Sequence, residues 1–316
     1  MKVLCIGEAL IDMICTDRGS SLSNGQNFLK KAGGAPANVA AAIAALGGQV
    51  DMAAKVGKDP FGKHIIELLK EMGVGTQWVI QDPAFFTTLA FVSLMEDGER
   101  DFYFNRGADG QLSASNLAAL ELGHYHIVHF GSATSFLPGP LQNAYTHFLE
   151  IAKTNNAIIS FDPNYRHLLF EHNTQSFIDQ SWPFIEQSHF FKVSDEEALL
   201  LTGCDNLQNA AAVFRKKSNA IFAITMGKEG TLLSVGEHLE MVGSIAITPV
   251  DATGAGDAFV GAVLFQLMPY NPSQVAAISL EEWRKIISNA NKAGARTCEY
   301  MGAMEAFKHL NKNIFE

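Results

Sequence analysis

The chain has few cysteines, a deficit of basic residues and no long apolar run. Its four cysteines, Cys5, Cys15, Cys204 and Cys298, are widely spaced, which favours buried thiols over a disulfide framework or a zinc site. The 23 Lys and Arg residues are outnumbered by 33 Asp and Glu, and the formal net charge of −10 argues against nucleic-acid or anionic-membrane partners. No stretch approaches the roughly 18 apolar residues of a membrane span. We therefore expect a cytoplasmic protein that acts on a small molecule.

Two common nucleotide-binding motifs are also missing. No Gly-x-x-x-x-Gly-Lys-Ser/Thr segment occurs, so a P-loop mechanism is excluded. No Gly-x-Gly-x-x-Gly follows the first apolar run, where the fingerprint of a dinucleotide-dependent oxidoreductase belongs. That class of enzyme is therefore a poor interpretation, although it would share the fold class.

Short apolar runs alternate with helical patterns along most of the chain. The patterns predict buried strands at 3–6, 50–56, 126–130, 157–161, 189–193, 220–225 and 245–250, and helices at 61–72, 141–153, 195–201, 258–268 and 281–297. This alternation is typical of a doubly wound α/β fold with a mostly parallel sheet. With 47% apolar composition, we expect a single domain over residues 1–316.

Two regions break this alternation. Residues 12–31 and 87–106 are richer in β-branched and aromatic residues, and the segment 96–99 (Glu-Asp-Gly-Glu) predicts a hairpin turn. We expect these regions to form four strands of a small sheet that projects from the main domain.

Near the C-terminus, a glycine turn separates a predicted strand from a predicted helix. The segment reads Asp251-Ala-Thr253-Gly254-Ala255-Gly256-Asp257. The first N–H groups of a helix lack intrahelical partners and lie at the positive end of its dipole, so they suit a phosphoryl oxygen. Asp257, in the first turn, could take a proton from an attacking hydroxyl. Taken alone, the segment could equally be a tight turn followed by an ordinary N-terminal Asp.

A second glycine turn precedes a helix near the N-terminus, at Gly33-Gly34-Ala-Pro-Ala-Asn38. Pro in the first turn and several alanines favour a helix. Asn38, four residues after Gly34, lies on the same side as the turn and could bind a polar ligand there. The alternative is a closely packed helix in which Asn38 satisfies a neighbouring backbone group.

Together these two motifs resemble those of the PfkB, or ribokinase-like, family of carbohydrate kinases, and the resemblance spans nearly the whole chain. It implies an ATP-dependent transfer of a phosphoryl group to a sugar, beneath a lid formed by the small sheet. Relatives often pair through these lid sheets, so the resemblance also suggests a homodimer. The first motif and the segment Phe161-Asp-Pro-Asn-Tyr-Arg166 look most like those of bacterial fructokinases.

The resemblance implies roles for particular residues. Asp257 would be the general base, and the N–H groups of Ala255, Gly256 and Asp257, in the turn that begins at Gly254, would form an anion hole. The residues matched to the sugar site are Asp12, Gly33, Gly34, Asn38, Phe104, Arg106 and Arg166. Phe104 would stack on the sugar ring. For an Arg on a lid strand, a solvated edge position is the alternative.

The nucleotide residues are also matched by resemblance, and they are Lys192, Ser194, Glu197, Thr225, Gly227, Gly230 and Asn291. Glu197 would act on hydrated Mg²⁺, although the family's Asn-x-x-Glu begins here with Ser194. A helix-capping box is compatible with that role. For Asn291, an exposed helical position is the alternative. The resemblance adds a monovalent cation such as K⁺ near Asp251 and Thr253.

The residue after Gly-Gly bears on the substrate. Relatives that phosphorylate a sugar phosphate tend to have Lys there, whereas this chain has Ala35, which favours a neutral sugar or nucleoside. Fructose, phosphorylated at its 6-hydroxyl, is the preferred substrate. Aminoimidazole riboside and 2-keto-3-deoxygluconate are the alternatives, and an inactive sugar-sensing relative is the alternative of another class.

Overall fold

The computed structural model describes residues 1–17, 19–95 and 100–315. Within them, the strands are β1 (Lys2–Ile6), β2 (Leu10–Cys15), β3 (Phe28–Gly33), β4 (Gln49–Gly57), β5 (Gly75–Asp82), β6 (Leu89–Leu94), β7 (Arg100–Asn105), β8 (Ile127–Phe130), β9 (Ile158–Phe161), β10 (Phe190–Ser194), β11 (Ile221–Thr225), β12 (Thr231–Val235) and β13 (His238–Val242). The helices are α1 (Ala35–Ala45), α2 (Pro60–Glu71), α3 (Pro140–Thr154), α4 (His167–Phe170), α5 (Thr174–Gln187), α6 (Asp195–Thr202), α7 (Leu207–Lys217), α8 (Ala255–Leu267), α9 (Pro272–Ala277), α10 (Leu280–Thr297) and α11 (Ala303–Phe307).

The larger sheet has the order β13-β12-β11-β10-β9-β8-β1-β4-β5. The seven strands from β11 to β5 are parallel, and β12 and β13 add antiparallel pairs at one edge. Successive side chains of β1 enter different cores: Val3 lies in the core that includes α1, α8 and α10, and Leu4 in the core that includes α3, α5 and α7. The structure thus confirms a doubly wound, mostly parallel α/β fold.

The smaller sheet has the order β3-β2-β6-β7 and confirms the four strands predicted in the two aromatic-rich regions. Strand β2 lies at its centre, antiparallel to β3 and parallel to β6. Asp12 of β2 is level with Ala90 of β6, which in turn pairs with Phe104 of β7. The predicted turn at 96–99 lies outside the described residues.

The predicted strand at 245–250 is wrong. This segment has no strand structure, and most of its side chains are exposed or half-buried, with Val250 58% exposed. Its end is held by a helix instead of a sheet, because the Val250 N–H donates to the carbonyl of Cys298, just past α10, at 2.7 Å. Pro249 removes one backbone donor. The apolar pattern therefore marks an extended connection that leads from β13 to α8.

No helix in the described part of the chain has both the length and the apolar character to cross a membrane.

Candidate active site

The two glycine turns meet at one place in the fold. The Nδ2 of Asn38 in α1 donates a hydrogen bond to Oδ2 of Asp257 in α8 at 2.8 Å, across a separation of 219 residues. Both side chains are buried. The helices approach closely because their contact is made of small residues, and a Cβ added to Gly261 would lie only 2.7 Å from that of Ala42. This contact brings the amide and the carboxylate of the two motifs into one site.

The start of α8 presents unpaired backbone donors. Gly254 has φ of +80°, and an added Cβ would collide with Ala303, so this turn requires glycine. The Ala255 N–H donates to the Ala252 carbonyl at 3.2 Å. The N–H groups of Gly256 and Asp257 have no acceptor among the residues described. Two donors, rather than the three expected, are therefore available to an anion, together with the positive end of the helix dipole.

A buried lysine lies beneath this helix start. Lys192, from the adjacent strand β10, has Nζ 3.2 Å from Oδ2 of Asp162. A Cβ added to Gly256 would lie 3.3 Å from the same Nζ. Burial alone would lower the pKa of Lys192, but the charges of Asp162, Glu197 and Asp257 outweigh it and raise the pKa. The lysine therefore stays protonated, and its charge faces the site of the free N–H groups.

Two acidic side chains of the site have raised pKa values. Burial raises the pKa of Asp257, against the opposing effects of the Asn38 hydrogen bond and of the charges on Arg166 and Lys192. Burial likewise raises the pKa of Asp12 to about 6, with Arg166 opposing it. Arg166 is exposed, and its charge acts on both carboxylates. The Arg166 guanidinium therefore lies within electrostatic range of both carboxylates.

The remaining predicted sugar residues differ in their placement. Gly33 adjoins Asp12, because a Cβ there would collide with the carboxylate, and Gly34 adopts φ of +103°. Phe104 is half-buried and stacks on Phe102 with ring centroids 6.2 Å apart. The Arg106 guanidinium donates to the carbonyls of Pro138 at 2.7 Å and Thr134 at 3.0 Å, so it is not a solvated edge charge. These hydrogen bonds link the loop between β8 and α3 to the end of β7, at the base (the foot) of the small sheet.

The capping box predicted at the start of α6 is confirmed. Ser194 Oγ accepts from the Glu197 N–H at 3.1 Å, and Glu197 Oε2 accepts from the Ser194 N–H at 2.7 Å. Oε1 of Glu197 accepts from the Tyr165 N–H at 2.8 Å. Glu197 is buried, and its charge acts on Lys192. This carboxylate therefore links α6 to the loop that carries Arg166.

The other predicted nucleotide residues lie around β11, β12 and α10. Thr225 ends β11, and Gly227 has φ of +54° with open space around it. Gly230 has φ of +107° and lies against the Val242 carbonyl. Asn291 is buried instead of exposed. Its Nδ2 donates to that same carbonyl at 2.9 Å, while its Oδ1 accepts from Thr231 Oγ1 at 2.6 Å.

The loop before α8 is organised around Asp251. Its carboxylate accepts from the N–H of Thr253 at 3.0 Å, from the Thr253 hydroxyl at 2.7 Å and from the Gly302 N–H at 2.8 Å. Within the described ranges, no group of three or more His, Cys, Asp or Glu side chains could hold a metal ion. A cation here would thus depend on backbone carbonyls, water or ligand oxygens in addition to this carboxylate.

Two buried acids of this region were not predicted as site residues. Asp162 pairs with Lys192, and Glu8 accepts a hydrogen bond from the Ala35 N–H at the start of α1, at 3.1 Å. Each lies just beyond the carboxyl end of a central parallel strand, which is where ligands bind in open α/β sheets. A charged residue within two positions after a buried strand is the sequence signal that could have identified both.

The sequence profile of the pfkB family carbohydrate kinases matches residues 1–310, so the chain belongs to this family and is a sugar kinase. Among its relatives, Fructokinase-1 from Zea mays is 36% identical over 308 residues, covering 96% of this chain and 93% of the maize protein. The structure of Xylella fastidiosa fructokinase with bound ATP has a TM-score of 0.88 and 27% identity, covering 99% of this chain and 96% of that one. A double mutant of Vibrio cholerae fructokinase with fructose, ADP and potassium bound has a TM-score of 0.83 and 28% identity, covering 99% and 96%.

Proposed function

We propose that this sugar kinase transfers the γ-phosphoryl group of ATP to the 6-hydroxyl of free fructose, with Asp257 as the general base. The observation that carries the proposal is the contact between Asn38 and Asp257 beside the unpaired N–H groups of α8. The names of the maize, Xylella and Vibrio relatives support fructose as the acceptor. Ala35 supports a free sugar, because it leaves no cation where a second phosphate would enter.

In the proposed reaction, the sugar hydroxyl loses its proton to Asp257 as its oxygen forms a bond to the γ-phosphorus. The bond from that phosphorus to the bridging oxygen breaks, and ADP leaves with the electron pair. Asn38 occupies Oδ2 of Asp257, so Oδ1 is left to accept the proton. The N–H groups of Gly256 and Asp257 and the charge of Lys192 stabilise the phosphoryl oxygens, where positioned donors are most effective.

Each of the two cations implied by the family would receive few ligands from the described residues at this site. When bound, Mg²⁺ neutralises phosphate charge, and it usually keeps several waters while contacting one or two carboxylates. That agrees with Glu197, whose two oxygens already accept backbone N–H groups and would act on the ion through water. Asp251 and Thr253 would hold a monovalent cation such as K⁺ in the loop before α8. The potassium bound in the Vibrio structure supports the choice of ion.

The sugar would lie between the two sheets. Asp12, Arg166 and the backbone of Gly33 and Gly34 supply polar groups suited to hydroxyls; Gly33 is buried, Asp12 and Gly34 are half-buried, and Arg166 is exposed. Phe104 lies level with Asp12 along the small sheet, and we propose that this face closes over the substrate. Such closure would exclude water from the phosphoryl transfer.

The experiment that tests the proposal is an ADP-release screen over free ketoses, aldoses, nucleosides and keto acids. We expect the highest kcat/KM with fructose. Coupling to glucose-6-phosphate isomerase identifies the position, because fructose 6-phosphate is consumed and fructose 1-phosphate is not. A higher kcat/KM with aminoimidazole riboside or 2-keto-3-deoxygluconate would identify that compound, instead of fructose, as the substrate. Sugar binding without turnover of any acceptor would indicate a sensing protein.

A further inference from the structure

Glu8 is a buried acid in the loop after β1, and the proposed reaction does not use it. Its side chain is 1% exposed. Oε1 accepts from the N–H groups of Ala35 at 3.1 Å and Ala133 at 3.2 Å, and Oε2 accepts from the hydroxyl of Ser132. Ala35 is the first residue of α1, the helix that carries Asn38. One carboxylate therefore joins the sugar-binding turn to the loop that follows β8.

That second loop connects to the foot of the small sheet. Thr134 Oγ1 donates to Asp109 Oδ2 at 2.8 Å, and Thr88 Oγ1 donates to the other oxygen of Asp109. Thr88 precedes β6 and also accepts from the N–H of Gly107, just after β7, at 2.8 Å. Arg106 adds its bond to the Thr134 carbonyl. The network therefore runs without interruption from Glu8 to the start of β6 and the end of β7 in the small sheet.

Keeping an acid at this position costs stability. Burial raises the pKa of the Glu8 carboxyl to about 7, and the charge of Asp109 adds to this effect against the hydrogen bonds from Ser132 and Ala133. Tyr145 of α3 also faces Glu8, and Arg106 approaches Asp109 at 3.6 Å. Burying a carboxylate is destabilising unless hydrogen bonds or an opposite charge offset the loss of water, and at Glu8 the hydrogen bonds offset it only in part. Its oxygens are placed to accept donors from two separate loops, which one apolar residue could not do.

We propose that Glu8 is a positioning residue for sugar binding, which sets the Gly33–Gly34 turn and Asn38 relative to the foot of the lid. The inference rests on the proposed function, since it assigns the sugar to this turn. Glu8 itself does not touch substrate. Its loss would misplace the groups that hold the acceptor hydroxyl while leaving the nucleotide side of the site intact. Misplacement of binding groups by about 1 Å can cost about 100-fold in rate.

The test compares Glu8→Asp and Glu8→Gln with Asp51→Asn as a matched control. Asp is shorter by one C–C bond, about 1.5 Å, and cannot reach both loops, whereas Gln keeps the length, with one oxygen for the N–H groups and an NH₂ for Ser132. Asp51 is also 1% exposed, but it lies near the start of β4, at the end of the parallel strands opposite to Glu8, where it binds Lys2, Gln77 and Tyr125.

We expect Glu8→Asp to raise the sugar KM about tenfold or more with the KM for ATP unchanged within about twofold, and Glu8→Gln to restore most of the sugar affinity. Asp51→Asn should lower the melting temperature without changing the sugar KM. If Glu8→Asp lowers stability but leaves the sugar KM unchanged, or raises both KM values equally, the proposal is overturned. If that variant does not fold, Ser132→Ala must raise the sugar KM selectively, and an unchanged KM overturns the proposal.

Hydrogen exchange separates this inference from the proposed function. If the wild-type protein turns over none of the screened acceptors, the proposed function fails, but the positioning role can still be measured. We expect faster exchange at residues 33–38 and 132–138 in Glu8→Asp than in Asp51→Asn. Equal exchange in the two variants would overturn the positioning role whatever the substrate is.

Discussion

At the scale of single residues, the base that we propose is Asp257. It is buried at the start of α8, and Asn38 fixes one of its oxygens. Asp257→Asn should lower kcat by about 100-fold to 10,000-fold, as is typical when a general base is removed. The melting temperature should change little, since the amide has the same shape. Steady-state kinetics and thermal unfolding measure the two effects.

The control for that variant is Glu281→Gln, which removes an exposed first-turn carboxylate from α10. It should leave kcat unchanged. An Asp257→Asn protein with near wild-type kcat would show that another group accepts the proton.

Arg166 should set the pH range of activity. Its positive charge lowers the pKa of Asp12 and of Asp257, both of which burial raises. Replacing it in Arg166→Met removes the opposing charge, so both pKa values should rise further. A base must be ionised to act, so the acidic limb of the kcat/KM profile should move to higher pH.

Arg284→Met is the matched control, because the Arg284 guanidinium pairs with Glu240 on the surface at 2.7 Å. Its pH profile should match that of the wild-type protein. If the acidic limb of the kcat/KM profile does not move in Arg166→Met, or moves to lower pH, the role assigned to Arg166 is contradicted.

At the scale of elements, the start of α8 depends on a turn that only glycine fits. Gly254→Ala should be destabilising by more than the about 1–2 kcal/mol expected for a left-handed backbone alone, because its Cβ also collides with Ala303. Displacement of the helix start should lower kcat about tenfold or more. Gly47→Ala is the matched control, since Gly47 has φ of +90° with nothing within 4 Å of an added Cβ. Chemical denaturation measures the stability of the two variants, and steady-state kinetics measures their kcat. Equal losses of stability in the two variants, with an unchanged kcat in Gly254→Ala, would contradict the prediction.

Elements with strong local signals were predicted well from the sequence. The helix predicted at 195–201 is observed as Asp195–Thr202, because its capping box is a local pattern that spans four residues. The segment 245–250 was predicted wrongly, because an apolar pattern cannot show whether a neighbouring strand is available to pair with it. A common site for Asn38 and Asp257 was implied by the resemblance of the two motifs, although not their direct hydrogen bond. The contacts of Glu8 with Ser132 and Ala133 were not, because they join segments more than one hundred residues apart without a recognisable motif.

At the scale of the whole molecule, we propose that two copies pair through the small sheet. The face that carries Asp12 continues outward as an apolar row of Leu29, Ile14, Val92 and Phe102, and ends near Leu94, which is 59% exposed. Leu94→Lys should shift the protein toward monomer, because burying an unpaired charge opposes association. Sedimentation over a range of concentrations measures the shift.

Tyr103→Lys provides the control for that experiment, since Tyr103 is 61% exposed on the opposite face of the same sheet. It should leave the assembly unchanged. A wild-type protein that remains monomeric at all concentrations, or equal effects of the two variants, would contradict pairing through this face.

The contact between Asn38 and Asp257 also has a consequence for biosynthesis. Its two partners are translated 219 residues apart, so a nascent chain that has already formed α1 contains no carboxylate beside that amide. If Asp257 is the base that we propose, phosphotransfer can begin only after the ribosome has released enough of the C-terminal region for α8 to dock. The first appearance of turnover during cell-free translation would therefore mark the docking of α8. Folding of the N-terminal strands before that point would produce no activity.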